Sequence, residues 1–256
     1  MVRAGPGRKA VALALHACVL AAGKGTRMGG DRPKVLFAAA GKPLLHWCLG
    51  ALSAAGIRDA VAVVGFQKDE VVRTLPTGVR WVEQSPQLGT GHAVMCARSS
   101  FPEDGQPILV TCGDMPLLRP ETFRRIAALR EERRAACALL TVTIPRESRF
   151  GRIVRDKAGN VVRIAEYKDA TEEERAIDEG NTGVLCFRPD ALWPALEALG
   201  SDNAAGEYYL TDAIEILLRK HEAVVAHRCE DPDEALGVNT PQDLGKVEAI
   251  LKSRDA

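Results

Sequence analysis

Apolar residues follow two rhythms along this chain of 256 residues. Short runs of small and β-branched residues alternate with longer stretches whose apolar residues return every three or four positions. HACVLA (16–21), DAVAVVG (59–65), VRWVE (79–83), PILVTC (107–112) and CALLTVTI (137–144) predict strands. Between them, PLLHWCLGALSAAG (43–56), a short segment near 68–74, residues 91–98 and residues 120–134 carry helical spacing. Pro43 and Pro120 stand where a first helical turn accepts proline, and Gly56 stands just past a helix end. The alternation predicts an α/β fold, a Rossmann-like and mostly parallel sheet with helices on both faces.

From about residue 145 the rhythm changes. GRIVRDKAGNVVRIAE (151–166) alternates about Gly159 and Asn160 and predicts a hairpin. A charged stretch (168–179) leads to the strand TGVLCFR (182–188), helices at 190–199 and 210–220, and the strand AVVAHRC (223–229). Thr240 predicts a cap for a last helix, with Pro241 at its first position and Asp243 in its first turn.

Composition narrows the function classes. With 46% apolar and 27% charged residues, the chain reads as an ordinary globular protein. Its 34 cations balance 34 anions, so no basic excess points to nucleic acid, and anion binding must come from local clusters. Seven dispersed cysteines without a CxxC pair predict neither zinc nor a disulfide framework and fit a reducing cytoplasm. Arg3, Arg8 and Lys9 before AVALALHACVLAA imitate a secretion signal. His16 interrupts that run and a glycine loop follows at once, so a loose leader before a buried first strand is the preferred reading. No later run approaches the roughly 18 apolar residues of a membrane span.

The chemistry gathers in VLAAGKGTRMGGDRPK (19–34), where a strand runs straight into a glycine-rich loop carrying Lys24, Arg27, Arg32 and Lys34. It is not a P-loop, because Asp31 follows Gly30 where lysine is required. It is not a dinucleotide fingerprint either, because Met28 stands at the third glycine position. The physical content survives: Gly23 and Gly25 let the backbone approach an anion, while Arg27 and Lys34 supply a planar fork and a point charge. Ligands of such sheets sit beyond the carboxyl ends of the strands, which marks the loops after Leu20, Glu83 and Cys112.

Eight segments in order extend this picture: LAAGKGTRMGGDRPK (20–34), QLGTGHA (87–93), GDMPLL (113–118), FGRIVR (150–155), EYKDAT (166–171), EGNTG (179–183), GEYYLTDAI (206–214) and GVN (237–239). Together they resemble the sugar-1-phosphate nucleotidyltransferases, in particular the uridylyltransferase domain of the bifunctional bacterial enzyme that makes UDP-N-acetylglucosamine. The resemblance covers roughly residues 17 to 245. It implies the nucleotide-diphospho-sugar transferase fold, with a nucleotide-binding half (16–144), a β-rich sugar-binding and lid half (145–239), a C-terminal helix (240–256) and a poorly ordered leader (1–15). It also implies attack of N-acetylglucosamine 1-phosphate on the α-phosphate of UTP, with Mg²⁺.

By the same resemblance, Arg27 and Lys34 are catalytic, and Asp114 and Asn239 hold the metal. Leu20, Ala22, Gly23, Lys24, Gly25, Gln84, Gly89 and Thr90 bind the nucleotide, with Gln84 reading the base edge bidentately. Gly113, Gly151, Glu166, Asn181 and Thr211 bind the sugar. Three positions depart from the pattern: Cys112 where tyrosine is common, Gly180 where an aliphatic residue is common, and Phe150 for tyrosine. The bifunctional enzyme continues into a left-handed β-helix, so this chain is expected to be a stand-alone uridylyltransferase or a cut portion of a longer one, and a monomer or weak homo-oligomer. Another hexose 1-phosphate or nucleotide is the alternative substrate. A non-catalytic sugar-nucleotide module and an NAD-dependent dehydrogenase are the alternatives of other classes.

Overall fold

The chain opens its sheet with β1 (His16–Ala21), whose alternate side chains serve two cores. Ala17, Val19 and Ala21 join one apolar cluster, and Cys18 joins the other. This is the period-two signature of a strand covered on both faces. The coordinates are a computed structural model that describes residues 13–29 and 32–254. The expectations for residues 1–12, Gly30, Asp31 and 255–256 lie outside the described residues. Of the expected leader, Leu13 donates its N–H to the Gly56 carbonyl (3.2 Å) and Leu15 is buried.

After β1 come two single-turn 3₁₀ helices, Thr26–Met28 and Lys34–Leu36, and the small hairpin β2 (Ala38–Ala39) and β3 (Lys42–Pro43). The alternation of the first half follows as α1 (Leu44–Ala55), β4 (Asp59–Val64), α2 (Lys68–Thr74), β5 (Arg80–Glu83), α3 (Thr90–Ala97), β6 (Ile108–Cys112), α4 (Pro120–Glu132) and β7 (Cys137–Thr143). The second half adds β8 (Arg152–Arg155), β9 (Val161–Ala165), α5 (Glu172–Arg175), β10 (Glu179–Phe187), α6 (Pro189–Glu197), α7 (Asp212–Arg219), β11 (Val224–Arg228) and α8 (Pro241–Arg254).

Among the described residues the main sheet runs β11-β7-β10-β6-β1-β4-β5. All neighbours on this path are parallel except β10, which runs antiparallel to both β6 and β7. The β8–β9 hairpin hangs from the start of β10. Helices α1 and α4 cover one face through Leu45, Leu52, Phe123 and Ile126. Helices α3, α6 and α7 cover the other through Val94, Leu192, Ile214 and Leu217. Helix α8 packs Val247 and Leu251 against Leu44 and Ala39 in a third cluster.

Two elements go beyond the periodic pattern. The charged stretch contains the single turn α5, closed by a capping box in which Thr171 and Glu174 exchange side-chain-to-backbone bonds. Strand β10 begins at Glu179 rather than 182 and carries a register shift between Asn181 and Leu185. Such bulges re-aim side chains, here beside the site described below.

Glu179 anchors the hairpin half to the sheet. It is buried and accepts from Arg155 Nε (2.8 Å) and Nη2 (2.7 Å), Thr141 Oγ1 (2.6 Å) and Arg228 Nη2 (2.9 Å). Burial alone would raise its pKa, but the bonds from Arg155, Thr141 and Arg228 prevail and hold it at about 2. A depressed carboxylate stabilises the fold above its unfolded value, and that contribution fades as pH falls toward the folded one. Glu179→Gln is therefore expected to cost about 2 kcal/mol at pH 7. In urea unfolding the gap to wild type should close between about pH 4.5 and 2. A gap that does not depend on pH would contradict the ionic anchor.

Candidate active site

Strand order reverses between β1 and β6, because the chain moves from β1 outward through β4 to β5 and returns on the other side. A crevice forms beyond the carboxyl ends at such a switch point. Here it holds a cavity of about 670 Å³ and an adjoining one of about 340 Å³, which share Leu20, Thr90, Cys112 and Asp114 along their common wall.

Two cations and two oxygen donors meet at this wall. Lys34 Nζ pairs with Asp114 Oδ2 and donates to Asn239 Oδ1 (3.0 Å), and Arg27 Nη2 donates to the same oxygen (3.1 Å). Each cation rides on a 3₁₀ turn pinned by a buried apolar neighbour: Met28 beside Arg27, and Val35 and Leu36 beside Lys34. Gly25 has φ +67°, and a Cβ there would come 2.7 Å from Lys34 Cβ, so glycine lets the lysine stem pass.

Main-chain bonds bring the oxygen donors together. Val238 N–H donates to the Asp114 carbonyl (3.0 Å). Asp243 Oδ2 accepts from the N–H groups of Asn239 (3.1 Å) and Thr240 (2.9 Å), while Thr240 Oγ1 caps Asp243 N–H (3.2 Å). The cap of α8 thus aims Asn239.

The larger cavity has a polar wall made by the second half of the chain. Thr211 Oγ1 donates to Glu166 Oε1 (2.8 Å), which leaves Oε2 to accept. Asn181 Oδ1 accepts from Gly183 N–H (3.1 Å), which leaves Nδ2 to donate, and Asn181 N–H donates to the Gly151 carbonyl (2.8 Å). Burial raises the Glu166 pKa, and Asp212, Asp169 and Glu207 raise it further against the Thr211 bond. Burial first, then Asp169, Glu166 and Glu207, push Tyr209 up to about 12. One side of the crevice is thus cationic and the other acidic and hydrogen-bonding. Cys112 lies between them. Burial first, then Asp114, pushes its thiol up to about 12 against the pull of Lys34, so it stays protonated and is no nucleophile.

The smaller cavity takes backbone from Ala22, Gly23 and Gly89 and the buried side chain of Gln84. Gly89, the N-cap just before α3, has φ +108°, and a Cβ there would stand 2.7 Å from the Tyr208 carbonyl oxygen. That close approach lets Tyr208 exchange backbone bonds with Leu88 and Gly91, both 2.8 Å. Thr90 Oγ1 accepts from Leu210 N–H (3.0 Å), tying the same two loops.

Residues 17–224 match the MobA-like NTP transferase domain. The chain belongs to this family. It is similar to the bifunctional protein GlmU of Limosilactobacillus fermentum, at 46% identity over 239 residues, which are 93% of this chain and 52% of that protein. It is likewise 42% identical to that of Brevibacillus brevis over 94% of this chain and 52% of that protein. The chain therefore spans about half the length of the curated relatives it matches. The fold matches the crystal structure of UDP-glucose pyrophosphorylase complexed with UDP-glucose, with a TM-score of 0.76 at 16% identity, covering 94% of this chain and 99% of that one.

Within this NTP transferase domain, most residues singled out from sequence line the two cavities. Three do not. Lys24 lies with its ammonium 5.3 Å from the centre of the Phe66 ring. Gly25 acts through Lys34. Gly113 is a packing position: its N–H donates to the Leu20 carbonyl (2.9 Å), and a Cβ would meet Leu45 at 2.9 Å. Gln84 does not offer its amide nitrogen to a ligand, because Nε2 donates to the Gly89 carbonyl (2.8 Å) and lies 3.2 Å from His92 Nδ1. Oε1 is the atom of the Gln84 amide left without a partner among the described residues, an arrangement that does not suit the expected bidentate reading of a base edge.

Sequence reasoning passed over Gln87, whose amide bonds the Ala22 carbonyl, and Arg149, an exposed cation that lines the larger cavity with Arg27. Gln87 opens the QLGTGHA segment, which is the signal that marks it. Arg149 carries no local signal, since a loop arginine is ordinary surface until the fold turns it inward. No helix among the described residues is long and apolar enough to cross a membrane.

Proposed function

We propose that the domain transfers a uridylyl group from UTP to N-acetylglucosamine 1-phosphate, releasing pyrophosphate. One observation carries this reading: Arg27, Lys34, Asp114 and Asn239 converge where a base-sized and a sugar-sized cavity meet. The eight-segment resemblance and the similarity to GlmU proteins support the choice of substrates.

The nucleophile is an oxygen of the sugar phosphate, already ionised at neutral pH. It bonds to the α-phosphorus as the bond to the β-phosphate oxygen breaks. No general base is needed, so the protein's task is to bring two polyanions together and neutralise growing charge. Lys34 and Arg27 stand ready to move from the oxygens of Asp114 and Asn239 onto phosphate oxygens. Asp114 and Asn239 are hard oxygen donors already facing cations, and they fit a Mg²⁺ ion. Among the described residues no three His, Cys, Asp or Glu side chains gather around one point, so water and substrate would complete the shell. When bound, the ion would supply charge neutralisation at the phosphates. Glu166 Oε2 and Asn181 Nδ2 would take sugar hydroxyls or the N-acetyl group, and Gln84 Oε1 the base.

Cys112 in place of the common tyrosine, and the fold shared with UDP-glucose pyrophosphorylase, favour glucose 1-phosphate as the second candidate. Pyrophosphate release from UTP with each sugar phosphate decides between them. The expected result is a kcat/KM for N-acetylglucosamine 1-phosphate at least about tenfold above that for glucose 1-phosphate, the size of discrimination that one or two hydrogen bonds provide. Equal rates, or a preference for glucose 1-phosphate, would overturn the assignment of the sugar.

A further inference from the structure

Gln84 directly follows β5 and is only 5% exposed, with the smaller cavity before it. A carbonyl oxygen can only accept, so the contact with Gly89 (2.8 Å) requires the amide nitrogen of Gln84 on that side. The same nitrogen lies 3.2 Å from His92 Nδ1 and has only protons to offer. Nδ1 must therefore accept, which places the imidazole proton on Nε2. That nitrogen lies 3.7 Å from Cys96 Sγ. Burial raises the Cys96 thiol above its ordinary range, so the sulfur is uncharged and serves as a weak acceptor. The relay uses both amide protons of Gln84 inside the protein. Oε1 is left without a partner among the described residues.

We propose that His92 is a positioning residue for the choice of nucleobase, holding the Gln84 amide so that only an acceptor faces the base. The proposal rests on the uridylyl-transfer reading above. His92 lines neither cavity and acts through Gln84 alone. Uracil presents N3–H to such an acceptor, whereas cytosine presents a lone pair at the same ring position and is repelled. Without His92 one amide proton of Gln84 loses its partner, and the amide is free to swing its nitrogen toward the cavity.

The test is the ratio of kcat/KM for UTP over CTP, measured with the same sugar phosphate. His92→Phe, which keeps the ring and removes the acceptor, is expected to lower the ratio about five- to tenfold, as losing one buried hydrogen bond does. His92→Asn, whose side-chain oxygen stands near the place of Nδ1, is expected to retain it. On a Gln84→Ala background His92→Phe should change the ratio no further, because the two act as one unit. An unchanged ratio in His92→Phe, or a full effect in the absence of Gln84, overturns the proposal. Nitrogen-15 NMR of the wild-type imidazole gives an independent reading: a proton on Nε2 is expected, and a proton on Nδ1 overturns the relay even if the phenylalanine variant does not fold. A wild-type enzyme with no preference for UTP overturns the uridylyl reading itself, and that failure is visible before any substitution is made.

Discussion

Asp114→Ala is expected to lower magnesium-dependent turnover by about 10³-fold or more while leaving the fold in place. The loss follows from removing one of two oxygen donors at a site whose charge neutralisation is worth several kcal/mol, each 1.36 kcal/mol being a factor of ten. The fold should survive because the link between the two loops runs through the main chain. Val238 donates to the Asp114 carbonyl, and no side-chain atom of Asp114 takes part. The substitution also frees Lys34, whose ammonium pairs with Asp114. Steady-state pyrophosphate release across a magnesium titration, with circular dichroism as the check on folding, measures both halves. Asp114→Asn keeps one oxygen, so a higher magnesium concentration should recover part of its activity. A folded Asp114→Ala enzyme with wild-type rates would dismiss the metal assignment.

Lys34→Met is expected to reduce kcat/KM by about 10²–10³, the usual loss when one preorganised charge is taken from a transition state. Methionine keeps most of the aliphatic stem, which the glycine at position 25 allows to pass at close range, so packing is largely preserved. Arg27→Met should lose less, because Arg27 is exposed whereas the Lys34 side chain is only 18% exposed, and solvent screens the arginine more. Added magnesium should rescue neither variant, which separates these charges from the metal ligands. A Lys34→Met enzyme with unchanged kcat/KM would place the transferring phosphate elsewhere in the crevice.

The Glu179 anchor bears on the same site from a distance. Glu179 and Asn181 lie on one strand, and the ion pairs of Glu179 with Arg155 and Arg228 hold the hairpin half against the sheet. Loss of that carboxylate should therefore weaken sugar binding as well as stability at neutral pH. The buried Arg152, which donates to the carbonyls of Arg146 (3.1 Å) and Ser148 (2.7 Å), steadies the adjoining loop that carries Arg149 and Gly151.

Local periodicity sufficed for nearly all of the helices and strands. Helix and strand periods come from backbone geometry, and a strand or helix of this length writes its buried face into its own residues. The elements that went unseen are the short ones. The two-residue strands Ala38–Ala39 and Lys42–Pro43 have no room for a period, and α5 is a single turn whose capping box lies inside a run of glutamates. The glycine loop stands out in the sequence because close backbone approach demands glycine, and charge beside it has few other uses.

What the sequence by itself determined is thus the α/β alternation, the loops at the carboxyl ends of the strands, and the kinds of residue those loops carry. The tertiary structure alone decided which of them meet. Lys34 and Asn239 are 205 positions apart, and only the backbone bond from Val238 to Asp114 and the cap of α8 bring the amide oxygen to the ammonium. The reversed direction of β10 carries Asn181 to the crevice from the start of its strand, and a run of apolar residues has no direction written in it. Lys24 and Lys34 look alike in the loop, yet one lies over Phe66 and the other reaches Asp114. The orientation of the Gln84 amide is likewise set by Gly89 and His92, which reach it through space. Period and propensity act between neighbours in the chain, whereas charge pairing and hydrogen bonding act across a few ångströms of space, and folding alone converts one into the other.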